Sequence, residues 1–504
     1  MTPKREPGER PYKTRAKDRT MHTRTEARGH YPELGQVIGG AYETGGGRVM
    51  RDVVDPTTGI PLGQYPEATE ADIARALLAA EHGFAVWRRR PAFERAKVLR
   101  KVADTMRERA QDLARLVTLE LGKPWKEAVA EVEQAAGMWE WYAEEGKRAY
   151  GRLIPPREAY ARQMVMPEPL GIVAAFGSWN APLITPSRKM AGALGAGCAI
   201  IMKASEEVPA CALAIGRIAY ECGLPEGALS ILIGDAVLLS ERLIDAPQVR
   251  GVTFTGSTQI GKQLSARAVA QMKRPIMELG GHAPVLVFDD VDIEATARAA
   301  AGAKFRNSGQ ICIAPTRFYV QRGIYDAFNA ALAQAARDLV LGCGFEAKTS
   351  MGPLVHPRRV QAMESFVADA RERRLPVLVG GEALEGEGTF FAPTVIANIT
   401  PETLVSNVEP FGPIAATAPF DTYEEGIALA NRLPFALAAY VQSTNVHTIN
   451  KAIEDVEAGS VICNGWRVSL PETPFGGHKD SGLFAEGGIE GLQAFQNVKY
   501  AYVA

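Results

Sequence analysis

Paired and clustered cysteines are missing from this chain. Its six cysteines (Cys198, Cys211, Cys222, Cys312, Cys343 and Cys463) are scattered without CxxC spacing. Neither a disulfide framework nor a zinc site is indicated, and a reducing, cytoplasmic compartment is expected. The seven histidines show no ligand spacing, so no metal is expected. Charge of one sign is lacking too. Fifty-six Lys and Arg against 58 Asp and Glu leave a net charge of -2, without the basic face that nucleic acid requires. No apolar run reaches the roughly 18 residues of a membrane-crossing helix, so no membrane contact is expected. The first twenty residues are rich in Lys, Arg and Pro, with almost no large apolar side chains. They lack the core of a signal peptide, and Glu6, Glu9 and Asp18 count against a transit sequence. A disordered extension is expected over 1–20.

What is present is the material of a large globular protein. A chain of 504 residues, 46% apolar and 23% charged, suffices for two or three domains. Residues 35–40 and 54–59 read as short strands and turns of an opening hairpin region. Helical patterning starts at the N-cap Thr69 and runs to Trp87. Val98, Val102, Met106, Leu113 and Val117 then make one apolar stripe, which Gly122-Lys123-Pro124 stops. A further helix is expected over 125–146. After residue 170, strands at 172–176, 199–202, 229–233 and 251–255 alternate with helices at 188–194 and 209–222. That alternation predicts an α/β fold with a parallel sheet covered on both faces, where ligands bind at the carboxyl ends of the strands.

One cysteine is placed for chemistry. An Ala-rich run over 295–303 reads as a helix that breaks at Ser308-Gly309, and Cys312 follows that turn. Small and polar residues precede the thiol and a strand-like Phe318-Tyr319-Val320 follows it, so a substrate can reach it. Upstream stand Met277-Glu278-Leu279-Gly280-Gly281 and Trp179-Asn180. A nucleophile, a carboxylate base and an amide donor are the parts needed for acyl transfer through a tetrahedral intermediate. Between Met277 and Leu279, Glu278 is expected to be partly desolvated and raised towards the pKa of a general base. Taken singly, Glu278 is equally a surface carboxylate at a strand end, and Asn180 an Asx turn before Pro182. Gly256-Ser257-Thr258 with Gly261 follows a strand and opens a helix. Small residues there let a backbone approach a pyrophosphate, although the bare motif is first a turn and an N-cap.

These patches, in this order, resemble the aldehyde dehydrogenase superfamily over nearly the whole chain from about Ile38. The wording is closest to its NAD-dependent succinate-semialdehyde dehydrogenase branch. The resemblance implies a Rossmann-type parallel-sheet cofactor domain (30–146 and 167–278) and an α/β catalytic domain (279–481). It also implies a small oligomerisation hairpin (147–166 with 482–504) in a homodimer or homotetramer. The activity implied is NAD-dependent oxidation of an aldehyde to a carboxylic acid. Cys312 would attack the carbonyl, and Asn180 with the Cys312 backbone N–H would hold the oxyanion. Glu278 would activate the water that cleaves the thioester, and Lys189 with Glu486 would form a buried proton path. A branch that transfers the acyl group to coenzyme A usually lacks this Glu, so a free acid is the expected product.

The match over 254–258 to Phe-Thr-Gly-Ser-Thr marks Gly256, Ser257 and Gly261 as dinucleotide residues, with Trp179 and Leu279 beside them. Lys203 and Glu206, otherwise a solvated charged loop, would hold the adenine ribose. A carboxylate at Glu206 accepts from a free 2′-hydroxyl and repels a 2′-phosphate, which favours NAD over NADP. Glu409 and Phe411, in Glu409-Pro410-Phe411-Gly412-Pro413, would hold the nicotinamide ribose and ring. Three departures from the family pattern stand out: Ser178 and Ala204 where it has Pro, and Phe484-Ala485 where it has Gly-Arg, which removes a subunit-contact arginine.

Arg188 and Arg306 match arginines with which succinate-semialdehyde dehydrogenases clamp a distal carboxylate, and Ser469 would add a hydrogen bond. Bidentate pairing suits a short ω-semialdehyde acid. Glutarate semialdehyde, oxoglutarate semialdehyde and aromatic aldehydes remain alternatives, as does a structural role for both arginines as helix-end cations paired with Asp or Glu. A non-catalytic use of the fold is disfavoured by the presence of Cys312 and Glu278. A cofactor-free cysteine hydrolase lacks a recognisable histidine base.

Overall fold

Strands that are apolar on both faces need helices on both sides of their sheet. In Ile172–Phe176, Val173 and Ala175 enter one core while Ile172, Ala174 and Phe176 enter another. Pro284–Val287 divides in the same way, with Val285 and Val287 on one face and Leu286 on the other. The fold, a computed structural model that describes residues 20–504, is α/β and is built on two such sheets. Apart from Thr20, the extension expected over 1–20 lies outside the described residues.

Five parallel strands make the centre of the first sheet, in the order Leu229–Leu232, Ala199–Lys203, Ile172–Phe176, Val249–Thr255, Arg274–Glu278. Strand order reverses between Ile172–Phe176 and Val249–Thr255, and such a reversal is where α/β sheets bind ligands. Gln36–Ile38 and Ala41–Glu43 close one edge antiparallel, and Gly482–Leu483 closes the other. The second sheet runs Val377–Val379, Thr394–Ile396, Ile414–Phe420, Arg317–Gln321, Pro284–Val287, Ala438–Gln442, Ser460–Cys463. All its pairs are parallel except the first. A separate antiparallel sheet joins Arg152–Ile154 and Arg162–Pro169 to the C-terminal strand Gln496–Val503.

Thr69 caps the helix Glu70–Trp87 through a capping box with Asp72. The apolar stripe from Val98 to Val117, expected on one helix, belongs to two: Ala92–Glu108 and Ala110–Leu121. The break is at Arg109, whose φ and ψ of -101° and 23° leave the helical region. Met106 and Leu113 are seven residues apart, two helical turns, so both pieces bury the same face and the stripe conceals the break. Gly122, at φ 72°, ends the second piece, and Trp125–Glu145 follows. Among the described residues no helix is long and apolar enough to cross a membrane.

Candidate active site

The helix Ile293–Phe305, capped by Asp292, delivers the chain to a tight turn ahead of Cys312. Asn307, Ser308 and Gly309 all take positive φ, at 49°, 57° and 72°. A Cβ at Gly309 would strike the Gly412 carbonyl, so glycine is required there. Left-handed conformations at Asn307 and Ser308 are costly and persist only when over-determined. Here they are. Ser308 donates to the Gly352 carbonyl at 2.8 Å, and Asn307 Nδ2 donates to the Asn180 carbonyl at 3.0 Å. Gln310 Nε2 donates to the Asn307 carbonyl at 3.1 Å, while its Oε1 accepts from the Val355 N–H at 3.0 Å. Cys312 emerges half-buried, whereas Cys198, Cys211, Cys222 and Cys343 are buried.

A cavity of about 680 Å³ runs between the two large sheets past this thiol. Its wall gathers residues that are far apart in the chain: Trp179, Asn180, Arg188, Gly256, Ser257, Glu278, Leu279, Arg306, Cys312, Glu409, Phe411, Ser469 and Glu486. Gly261 and Lys189 are not on the wall but touch it, through Leu279 and Glu486, whereas Lys203 and Glu206 are not among its lining residues. Lys203 Nζ bonds Glu206 at 2.5 Å at the carboxyl end of its strand. Asn180 is positioned by its neighbours. Its Oδ1 accepts from the Ser178 hydroxyl at 2.8 Å, which leaves Nδ2 as the inward donor, resting on the Gln310 carbonyl at 3.1 Å. The serine at the proline position thus fixes the orientation of the amide. Lys189, fully buried, donates to Glu486 at 2.5 Å and to Thr253 Oγ1 at 3.0 Å.

Burial dominates the electrostatics. Glu278 is 3% exposed, which removes the surface-carboxylate alternative. Desolvation, helped by Glu486, pushes its pKa up to about 7, against a smaller stabilisation of the carboxylate by the Cys312 thiol and Arg188. The Cys312 thiol is itself held well above its ordinary range, first by burial and then by Glu278. At rest the pair therefore holds a neutral thiol beside a carboxyl poised near neutrality, an arrangement suited to passing one proton between them. Arg188 lies 4.1 Å over the Phe475 ring and donates to Ser469 Oγ. It sits inside the helix Ile184–Ala196 and not at its end. Neither Arg188 nor Arg306 forms an ion pair among the described residues, which counts against the structural alternative for both.

The turn at Gly256 fits a dinucleotide. Ser257 stands at the N-cap of Thr258–Ala270, and the buried hydroxyls of Thr255 and Thr258 have no hydrogen-bond partner. A Cβ at Gly261 would overlap Leu279, so the helix approaches the wall as closely as its backbone allows. Glu409 is half-buried and pushed up to about 8 by desolvation, and the Phe411 ring meets Trp179 edge-on at 5.4 Å.

Some of the site was not legible in the sequence. Glu131 accepts from the Leu183 N–H at 2.9 Å and pairs with Lys123, and so anchors the helix that carries Arg188 and Lys189. Glu127 accepts from the Asn307 N–H at 2.9 Å. Lys304 is fully buried without a hydrogen-bond partner, and desolvation lowers it to about 7. Each stands in an ordinary helical pattern, and only the neighbouring elements give it a role.

A poised thiol and carboxyl at the mouth of a dinucleotide-type turn mark an oxidoreductase that works on a carbonyl group. The chain belongs to the aldehyde dehydrogenase family, whose model matches residues 43–501. It is 42% identical to the 4-(hydroxymethyl)benzenesulfonate dehydrogenase TsaD1 of Comamonas testosteroni, over 94% of this chain and 98% of the relative. It is 40% identical to GabD of Escherichia coli, a succinate-semialdehyde dehydrogenase named for NADP(+), over 89% and 93%. A crystal structure of a succinate-semialdehyde dehydrogenase from Burkholderia pseudomallei superposes with a TM-score of 0.91 at 39% identity, covering 94% of this chain and 99% of that one. The protein is an aldehyde-oxidising enzyme of the NAD(P)-using kind.

Proposed function

We propose that the enzyme oxidises a carboxylate-bearing aldehyde, with succinate semialdehyde as the type substrate, to the free acid, and uses NAD. The observation that carries this reading is the placement of Arg188, Arg306 and Ser469 on the wall that also holds Cys312, with both arginines free of ion pairs among the described residues. In this reading the guanidinium groups take the distal carboxylate, which orients the aldehyde carbon towards Sγ. Glu278 takes the thiol proton as Sγ adds to the carbonyl, and Asn180 Nδ2 with the Cys312 N–H holds the oxyanion. Bound NAD supplies the hydride acceptor. Gly256, Ser257, Gly261, Leu279 and Trp179 hold the dinucleotide, Lys203 and Glu206 its adenine ribose, and Glu409 and Phe411 its nicotinamide end. Lys189 with Glu486 carries the thiol proton away, so that Glu278, again a carboxylate, deprotonates the water that attacks the thioester, and the same pair carries that second proton onward.

The carboxylate of Glu206 supports NAD over NADP, since it would face a 2′-phosphate with like charge. One experiment tests both preferences. NADH formation is expected to show kcat/KM at least a hundredfold higher for succinate semialdehyde than for butyraldehyde, about 2.7 kcal/mol of carboxylate recognition. NAD should also outperform NADP. Equal values for the two aldehydes would sink the clamp, and a preference for NADP would sink the role given to Glu206.

The domain division that accompanies this reading is a cofactor domain over 30–146 and 167–278, a catalytic domain over 279–481, and oligomerisation elements at 147–166 and 482–504. Exposed Leu153, Val498, Tyr500 and Tyr502 on the three-stranded sheet support the last of these. Light scattering at micromolar concentration is expected to give a dimer or tetramer. A monomer would overturn that role.

A further inference from the structure

Asn180 is held at three points. Its backbone carbonyl accepts from Asn307 Nδ2 at 3.0 Å and from Lys123 Nζ at 3.3 Å. Its Oδ1 accepts from Ser178, and Nδ2 donates to the Gln310 carbonyl. A primary amide nitrogen has two hydrogens, so one remains for the cavity whose wall includes Asn180. Where that hydrogen points depends on how Oδ1 is held, and a pair of hydroxyls holds it. Ser178 Oγ lies 2.8 Å from Asn180 Oδ1 and 3.3 Å from Thr185 Oγ1. A hydroxyl has one proton to give, and an amide oxygen can only accept. The Ser178 proton therefore goes to Oδ1, and Thr185 must be the donor to Ser178. Thr185 is buried, and its hydroxyl has no other hydrogen-bond partner among the described residues.

The result is a one-way chain that runs from Thr185 through Ser178 and Asn180 to the Gln310 carbonyl, two residues before Cys312. Hydrogen bonds aligned in one direction polarise one another, so the amide near its end is strengthened as a donor as well as aimed. The chain starts from a fixed element. Thr185 stands in the first turn of Ile184–Ala196, whose entry is anchored by the bond from the Leu183 N–H to Glu131. A proline at position 178 could take no part in it, having no hydroxyl. We propose that Thr185 and Ser178 are positioning residues for acyl transfer. Together they hold the Asn180 amide on the line along which negative charge develops when Sγ adds to the aldehyde. Neither hydroxyl touches the reacting atoms in this role, since the Ser178 proton is committed to Asn180. The inference rests on the dehydrogenase reading above, which makes Asn180 the oxyanion donor, and it extends the machinery of that same site.

The test is a double-mutant cycle in the full-length enzyme, read as kcat/KM for succinate semialdehyde and for butyraldehyde. Ser178→Ala is expected to lower both by about tenfold, part of the roughly 10²- to 10³-fold lost with the donor itself in Asn180→Ala. Thr185→Val, which keeps the shape of the side chain, should cost about threefold. The Tm and the Kd for NAD should hold in both variants, and Ser178→Thr, which keeps the hydroxyl, should restore most of the rate. In the Asn180→Ala background the same two substitutions should cost less than about twofold, because no amide is left to position. A merely structural role would give equal losses in both backgrounds, and that result would overturn the proposal. So would a Ser178→Ala enzyme within about twofold of the wild type. The two aldehydes raise the same oxyanion, so a loss confined to the semialdehyde would assign the hydroxyls to the Arg188 clamp instead and overturn their role here. An Asn180→Ala enzyme close to wild type would remove the oxyanion donor and this inference together. No NADH from any aldehyde would sink the dehydrogenase reading itself.

Discussion

Replacing Cys312 with alanine is expected to lower NADH formation from succinate semialdehyde by at least about 10⁴-fold, since removing a covalent nucleophile costs far more than removing a helper group. No burst should precede the steady state. The fold should survive, because the side chain is half-buried in a loop held by Asn307, Ser308 and Gln310 and not by the thiol. Binding of NAD, followed by quenching of tryptophan fluorescence, should also persist, because the Gly256 turn is built on a different strand. Stopped-flow absorbance at the NADH band checks the first point. A variant that keeps more than a hundredth of the wild-type rate would remove Cys312 from the chemistry.

The Glu278→Gln enzyme should fail later in the cycle. Acylation of Cys312 needs one proton removed, and solvent can take it slowly; attack of water on a buried thioester needs a base in place. Steady-state turnover is expected to drop by about 10² to 10⁴-fold. A burst of up to one NADH per site should remain, and intact mass should show the acyl adduct on Cys312. The pH profile supplies a second readout. Burial raises Glu278 to about 7, so the basic form is lost as pH falls below that value. Wild-type kcat should therefore rise with pH through about 7, and the Gln variant should lose that limb. Wild-type steady-state turnover in the variant, or an unchanged limb, would show that another group is the base.

The elements that were legible in the sequence are those whose signal is local. Thr69 with Asp72 announces a helix start, Gly122 announces a stop, and the apolar run at Ile172–Phe176 announces a strand buried on both faces. Cys312, Glu278 and Asn180 stood out only in combination, because each run taken singly has an ordinary structural explanation and their order along the chain carries the family resemblance. The break at Arg109 was hidden because the apolar repeat continues across it in register. Glu131 was hidden because a carboxylate on a helix looks like a solvated face until the N-terminus of Ile184–Ala196 is packed against it.

By itself, then, the sequence determined the α/β class, the parallel strands and the residue types able to do acyl chemistry. Strand period, caps and turn residues act over a few positions, and one chain displays them directly. Tertiary structure alone decided which of those groups share a dielectric. It closed the sheets around Glu278 and moved its pKa, and it faced Lys189 with Glu486, residues 297 positions apart. Burial, ion pairing and empty volume are properties of surfaces brought together, and no local pattern encodes them.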